Sequence, residues 1–308
     1  MLTNMKRVSR DKPHFKFDKF RSPVLDLAPG ERVVFETLDA CSGEVRSIDG
    51  FREYRRLGKQ GHGNPLTGPV FVEGAKAGGT LVIDILGIEL DPTGFQLIGP
   101  DRAMIRDEVV QWDHYPVSAE GDRLVLPRGI TLPADPVIGT MGTAPDGPAT
   151  NAPNRLGGNM DVPQIRTGAR VYLPIEVEGA LFSLGDVHAR QGDGEVVGAP
   201  EIGAKVTVKF GVLDERQADW PMVENETHWY TITCGRNEAE AFRIGVLESA
   251  RFLERTNHVR FNDALILLTM LVELHCSRTG KWGSLEPVAC TGFSKALIAE
   301  ATAGYHDP

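Results

Sequence analysis

No apolar run in the sequence reaches the length of a bilayer span: the longest, Ala264 to Val272 (ALILLTMLV), is about half of it. The N-terminal stretch MLTNMKRVSRDKPHFKF lacks the apolar region of a secretory signal. Basic charge is scarce relative to acid, 33 Lys and Arg against 42 Asp and Glu, for a formal net charge of -9. Such a chain has no field to draw it to phosphates, which argues against nucleic acid and anionic membranes as partners. Cysteine is sparse and unpaired in sequence. Cys41, Cys234, Cys276 and Cys290 form no CxxC motif, which reads as buried thiols in a reducing cytoplasm. Also missing are a Rossmann glycine fingerprint, a P-loop, a GxSxG nucleophile elbow and an HxH metal pair.

What the chain has in quantity is punctuation, 34 Gly and 20 Pro. From Pro23 to about residue 210 these break a series of strand-like runs. They include ERVVFETLDA (Glu31 to Ala40), GTLVIDILGIEL (Gly79 to Leu90), ARVYLPIEVEGALFSLGDVHA (Ala169 to Ala189, two strands bent at Gly179) and AKVTVKFGVL (Ala204 to Leu213). Short alternating runs with this spacing predict a mainly β fold, a jelly-roll-like β-sandwich or barrel, rather than βαβ units. The pattern then turns helical. Residues 239, 242, 246, 250 and 253 are apolar at helical period behind Asn237 as N-cap, with Glu240 three residues on. A second helical face, 261, 264, 265, 268, 271 and 272, lies within Phe261 to His275. The expected organisation is a β-rich domain over 1–213 and a smaller C-terminal α+β section over 214–308, with a soft boundary. Between Arg128 and Asp161 the chain shows no strand pattern and reads as a long, ordered, site-forming loop.

One strand end is loaded with ligand-type residues. SLGDVHARQGDGEVVG (Ser183 to Gly198) carries Asp186, His188, Asp193 and Glu195 among four glycines. On a strand, Asp186 and His188 at i and i+2 point to one face. A carboxylate and an imidazole there make half a site for Zn²⁺ or another divalent ion. The Gly192-Asp193-Gly194 turn returns Glu195 toward the pair, and glycine permits close backbone approach. In GGNMD (Gly157 to Asp161), Asn159 and Asp161 repeat the two-residue spacing and add oxygen ligands or amide-binding groups. The competing reading is a solvated turn, since Gly and Asp are default turn residues. Asp193, between two glycines, fits that reading best. Among the other candidates, Cys41 has no activating histidine motif, and His62 and Asn64 (GHGNPLTGP) suit a pocket or a turn equally. His14, His114, His228 and His258 have no ligand pattern around them.

Several stretches resemble the acetamidase/formamidase family in the same order: FETLDACSGEV (Phe35 to Val45), NPLTGPVFVEGAKAGGTLVIDI (Asn64 to Ile85), PVIGTMGTAP (Pro136 to Pro145), GGNMD, and LPIEVEGALFSLGDVHARQGDGEVVG (Leu173 to Gly198). The resemblance covers about residues 14 to 210. It implies hydrolysis of short neutral amides such as formamide or acetamide to a carboxylate and ammonia, with a divalent metal and in a homo-oligomer. On that basis Asp186, His188 and Asp161 are the expected metal ligands, and Glu195 the general base. Asn159 is expected to orient the amide, and Zn²⁺ is favoured with Ca²⁺ or another ion open. The C-terminal part departs from the family, with Thr269 and Glu273 where a Ser and an Asp are usual. Two rival readings are a cupin-like metal oxygenase or isomerase and a β-rich binding module with a structural Ca²⁺ site. A cupin calls for a second His two residues from His188, where this chain has Arg190.

Overall fold

A computed structural model of the chain describes residues 5–59, 63–100, 105, 108–279 and 285–306. The strands are β1 (Lys6–Val8), β2 (Leu25–Leu27), β3 (Arg32–Thr37), β4 (Leu66–Val72), β5 (Thr80–Ile98), β6 (Asp113–Glu120), β7 (Arg123–Val125), β8 (Thr131–Pro133), β9 (Val137–Gly142), β10 (Gly157–Asn159), β11 (Arg170–Pro174), β12 (Phe182–His188), β13 (Glu201–Leu213), β14 (Met222–Glu224), β15 (His228–Cys234), β16 (Glu273–Arg278) and β17 (Val288–Ser294). The helices are α1 (Ile48–Arg56), α2 (Glu238–Asn257), α3 (Phe261–Leu271) and α4 (Lys295–Thr302). The mainly β fold follows the punctuated alternation of the sequence. All the strands join one hydrogen-bonded network, which branches but is not closed on itself.

Three long-range pairings set the frame. The 19-residue β5 pairs along its length with β13, and β13 also pairs with β3. Strand β12 pairs with β4 and β9 and touches β13 at His188 and Glu201. Strand β10 adds to the other side of β9. Phe35 of β3, Phe182 of β12 and Phe210 of β13 meet edge to face, with centroids 5.2 to 6.4 Å apart. Each ring is buried, so each contributes roughly 1.5–3 kcal/mol by leaving water, and together they fasten three strands at one point. The bend at Gly179 lies between β11 and β12. It takes φ +73 there, and a Cβ would stand 2.0 Å from the Phe71 ring.

Three regions differ from the sequence expectation. The stretch from Arg128 to Asp161 is not a loop throughout. It carries β8, β9 and β10, and β9 is buried throughout. Its glycines disguise it, because Gly139 and Gly142 look like turn residues but sit where neighbouring groups press close. The second helical pattern stops early. Helix α3 ends at Leu271, and Glu273 to Arg278 become β16, paired with β17 from Glu273↔Gly292 onward. Sheet pairing overrides the helical period there. Finally, α1 places a helix in the β-rich half, where the sequence pattern predicts strands and turns. Ser47 caps it, Phe51 and Tyr54 bury its inner side, and the charges face outward.

Helix α2 starts as expected. Asn237 Oδ1 accepts from the Glu240 backbone N–H at 2.9 Å, the cap bond that its position predicts. The C-terminal section is stitched into the rest: β14 pairs with β11 of the β-rich half and with β15.

Candidate metal centre

Strands β10, β9 and β12 lie side by side, with Asn159 opposite Thr140 and Thr140 opposite Gly185. This row brings the two sequence motifs together. Along β12 and the residue after it, those joining the hydrophobic core are Phe182 and Leu184, then Val187 and Ala189. The parity changes around Asp186, whose φ is +58. Asp186 and His188 therefore share the face turned away from Val187. Asp161 (φ +52) and Glu195 (φ +42) are also in the left-handed region. Three acids in a conformation that disfavours side chains is a concentration of strain of the kind found at functional sites.

Asp161, Asp186 and His188 each offer a ligand atom, all within 4.8 Å of one another, and all three residues are buried. His188 Nε2 lies 3.5 Å from Asp186 Oδ1, 3.9 Å from Asp161 Oδ1 and 3.8 Å from Glu201 Oε1. The opposite atom of each member is held. His188 Nδ1 donates to Gln191 Oε1 at 2.8 Å. Asp186 Oδ2 accepts from Thr140 Oγ1 at 2.9 Å and from Asn64 Nδ2. Asp161 Oδ2 accepts from Arg278 Nη1 at 2.6 Å. Asn159 has its nitrogen turned toward the acids, the orientation that satisfies the groups around it. It then stands 2.8 and 2.9 Å from the two Asp161 oxygens and 3.2 Å from Asp186 Oδ2.

Asp161, Asp186, Glu195 and Glu201 are all buried, and among the described residues the Arg278 guanidinium pairs with Asp161. Burial acts first on every group. It raises the carboxyls of Glu195 and Asp161, with neighbouring carboxylate charge adding to the effect and Arg278 opposing it. Burial also works against a charged His188, but Glu201 and Asp186 outweigh it and lift its pKa well above the ordinary value. For Asp186 the His188 charge overcomes burial and lowers the pKa.

The residues fit a divalent ion on three observations. Asp186 Oδ1 and Glu195 Oε2 are buried with no hydrogen bond from any described residue. A Cβ on Gly139 would come within 2.5 Å of Asp161 Oδ1 and 2.9 Å of Asp186 Oδ2, so the missing side chain is what admits the acids. One imidazole with two carboxylates is a donor set suited to Zn²⁺, with the second imidazole nitrogen held by an acceptor.

A family model described as the acetamidase/formamidase family matches residues 4–148 and 136–228. The chain belongs to the acetamidase/formamidase family. The crystal structure of an acetamidase from Bacillus halodurans superposes with a TM-score of 0.87 at 31% identity, covering 96% of this chain and 99% of that one. A formamidase of Methylophilus methylotrophus is 26% identical over 250 residues, 61% of each chain. An acetamidase of Mycolicibacterium smegmatis is 28% identical over 257 residues, 61% of this chain and 62% of that one. The chain thus spans about three fifths of the length of these two curated relatives.

Each residue expected at the site can now be placed. Asp161, Asp186, His188 and Asn159 come together, and Glu195 joins them from its turn. Asp193 is exposed and pairs with His275 Nδ1 at 2.9 Å. Asn64 reaches the site, while His62 lies outside the described residues. Cys41 is buried beside α1, against Phe51 and Tyr54. Arg190 donates to the Pro133 carbonyl. Thr269 donates to the Leu265 carbonyl at 2.8 Å, and Glu273 pairs with His275 and His228. Sequence reasoning missed Gly139, Thr140, Gln191, Glu201 and Arg278. Thr140 and Gly139 lie in a quoted motif, but no local spacing points to Glu201 or Arg278, which the sheet brings in from afar.

Proposed function

We propose that this chain hydrolyses short neutral amides to a carboxylate and ammonia. Asp161, Asp186 and His188 hold a divalent ion in this reading, with Zn²⁺ favoured. The carrying observation is that these three groups bring one ligand atom each to within 4.8 Å of one another, while the second atom of each is held by a different partner. When bound, the ion supplies Lewis-acid polarisation of the amide carbonyl and a lowered pKa for water. Glu195 lies at the cluster on a glycine-flanked turn. Its carboxylate, buried beside the cluster, takes a proton from the attacking water and returns it to the leaving nitrogen. Asn159 faces Asp161, Asp186 and Thr140, so we assign it to holding the acids rather than the substrate.

The relatives' activities, formamidase and acetamidase, support the substrate class. The burial of the acids supports a substrate of very few carbons. The imidazole among the donors favours Zn²⁺ over an all-oxygen Ca²⁺ site. The four cysteines form no disulfide, which suits a reducing cytoplasm.

The test is ammonia release from formamide, acetamide and propionamide, with metal content measured by mass spectrometry before and after chelation. The expected result is turnover of at least one amide, lost with the ion and regained on Zn²⁺ addition. No release from any of the three by Zn²⁺-loaded protein would overturn the substrate class.

A further inference from the structure

We propose that Arg278 is a positioning residue that keeps a coordination place open at the metal centre by occupying one oxygen of Asp161. The inference rests on the metal reading above and goes beyond it by giving the C-terminal section a task in the reaction.

Arg278 is 0% exposed, the largest fully buried side chain among the described residues. Burying a guanidinium is unfavourable by several kcal/mol unless it is paired. Its Nη1 donates to Asp161 Oδ2 at 2.6 Å and to the Asn159 carbonyl at 3.0 Å, and its Nη2 donates to the Glu286 carbonyl at 2.8 Å. Two of those partners are site residues or part of their motif. The residue comes from β16, which also holds the Glu195 turn: the Thr279 backbone N–H donates to the Gly194 carbonyl at 3.1 Å, and Gly194 N–H donates to the Cys276 carbonyl.

A carboxylate binds a metal through one oxygen or two. A hydrolytic ion needs a free position beside its protein ligands for water or substrate. Asp186 has one oxygen, Oδ2, held by Thr140 and Asn64, leaving Oδ1 for an ion. Asp161 is matched to it by Arg278: the charge-assisted bond takes Oδ2 and leaves Oδ1 facing His188. Asn159 also reaches both Asp161 oxygens, but a neutral amide shared between acceptors yields more readily than a guanidinium. Without Arg278, Asp161 is free to close on the ion with both oxygens, and the centre also becomes more negative. Both effects favour the ion and disfavour turnover.

The signature is therefore a split that general loss of structure does not give. Arg278→Met, loaded with Zn²⁺, is expected to bind the ion at least as tightly as the wild type by calorimetry while kcat falls on the order of 10–100-fold, the scale of lost outer-sphere support. With Co²⁺ in place of Zn²⁺, its visible absorption should weaken as the coordination number rises. Arg278→Lys, able to give a single charged donor, should fall between the two. Weaker metal binding in a folded Arg278→Met, or kcat and the Co²⁺ spectrum both unchanged, overturns the proposal. Failure of both variants to fold in the presence of Zn²⁺ also overturns it, since Arg278 is then a structural cation. If the wild type binds no Zn²⁺, the metal reading itself has failed. If the wild type binds Zn²⁺ and the variants match it in turnover and spectrum, only the role of Arg278 has.

Discussion

Two histidines meet the two ends of β12, and both are buried, His14 at 5% exposure and His188 at 1%. Their environments send them in opposite directions. His14 has only neutral hydrogen-bond partners: its Nδ1 donates to the Lys16 carbonyl at 2.9 Å and its Nε2 accepts from Ser183 Oγ at 3.1 Å. Burial pushes its pKa down to about 4. His188 suffers the same burial, yet Glu201, Asp186 and Asp161 reverse the outcome. A buried imidazole is thus a neutral structural group or a cation-seeking ligand according to its neighbours, not its depth. His14 ties the segment before β2 onto β12, whereas His188 belongs to a centre that calls for positive charge.

The sharpest test of that contrast is His188→Ala. It should abolish ion content and amide hydrolysis together, because one of three ligands is gone and the remaining carboxylates repel. Mass spectrometry and an ammonia assay on one preparation decide it, and full activity in the variant would remove the difference between the two ends. Next in size is Glu195→Gln, which keeps shape but cannot accept a proton. It should retain the ion and lose roughly 10²–10⁴ in rate. Loss of the ion instead would make Glu195 a fourth ligand. The smallest effect on activity belongs to His14→Gln, expected to leave ion content and turnover near wild type. Its effect lies in stability. A histidine of ordinary pKa when unfolded and about 4 when folded takes up its proton preferentially in the unfolded chain. Stability therefore declines as pH falls from about 6.5 to about 4, by about 3 kcal/mol in all. Chemical denaturation across that range should show this slope in the wild type and its loss in His14→Gln.

Much of this was legible in the residues, and the limit is physical. Runs such as Ala204 to Leu213 and the capped helix from Asn237 are local, so period and cap reveal them. The cluster Asp186, His188 and Glu195 is legible for the same reason, and Asp161 falls two residues from Asn159 in a glycine-led motif. What sequence hides is whatever depends on another strand. Strand β9 reads as loop because Gly139 answers to Asp161 and Asp186 rather than to its own neighbours. Strand β16 reads as helix because β17, not the local period, decides its form. Glu201 enters only through its pairing with His188, and Arg278 only after β16 has been placed.

The reach of Arg278 bears on how the molecule comes into being. It bonds to Asp161 across 117 residues of sequence. At synthesis rates of about 5–20 residues per second, that separation corresponds to roughly 6–23 s between the two on the ribosome. During that interval the strands bearing the acids have emerged without the guanidinium that will lie among them, and water must serve in its place. The site is consequently finished only once β16 has been made, as a keystone closes an arch already standing.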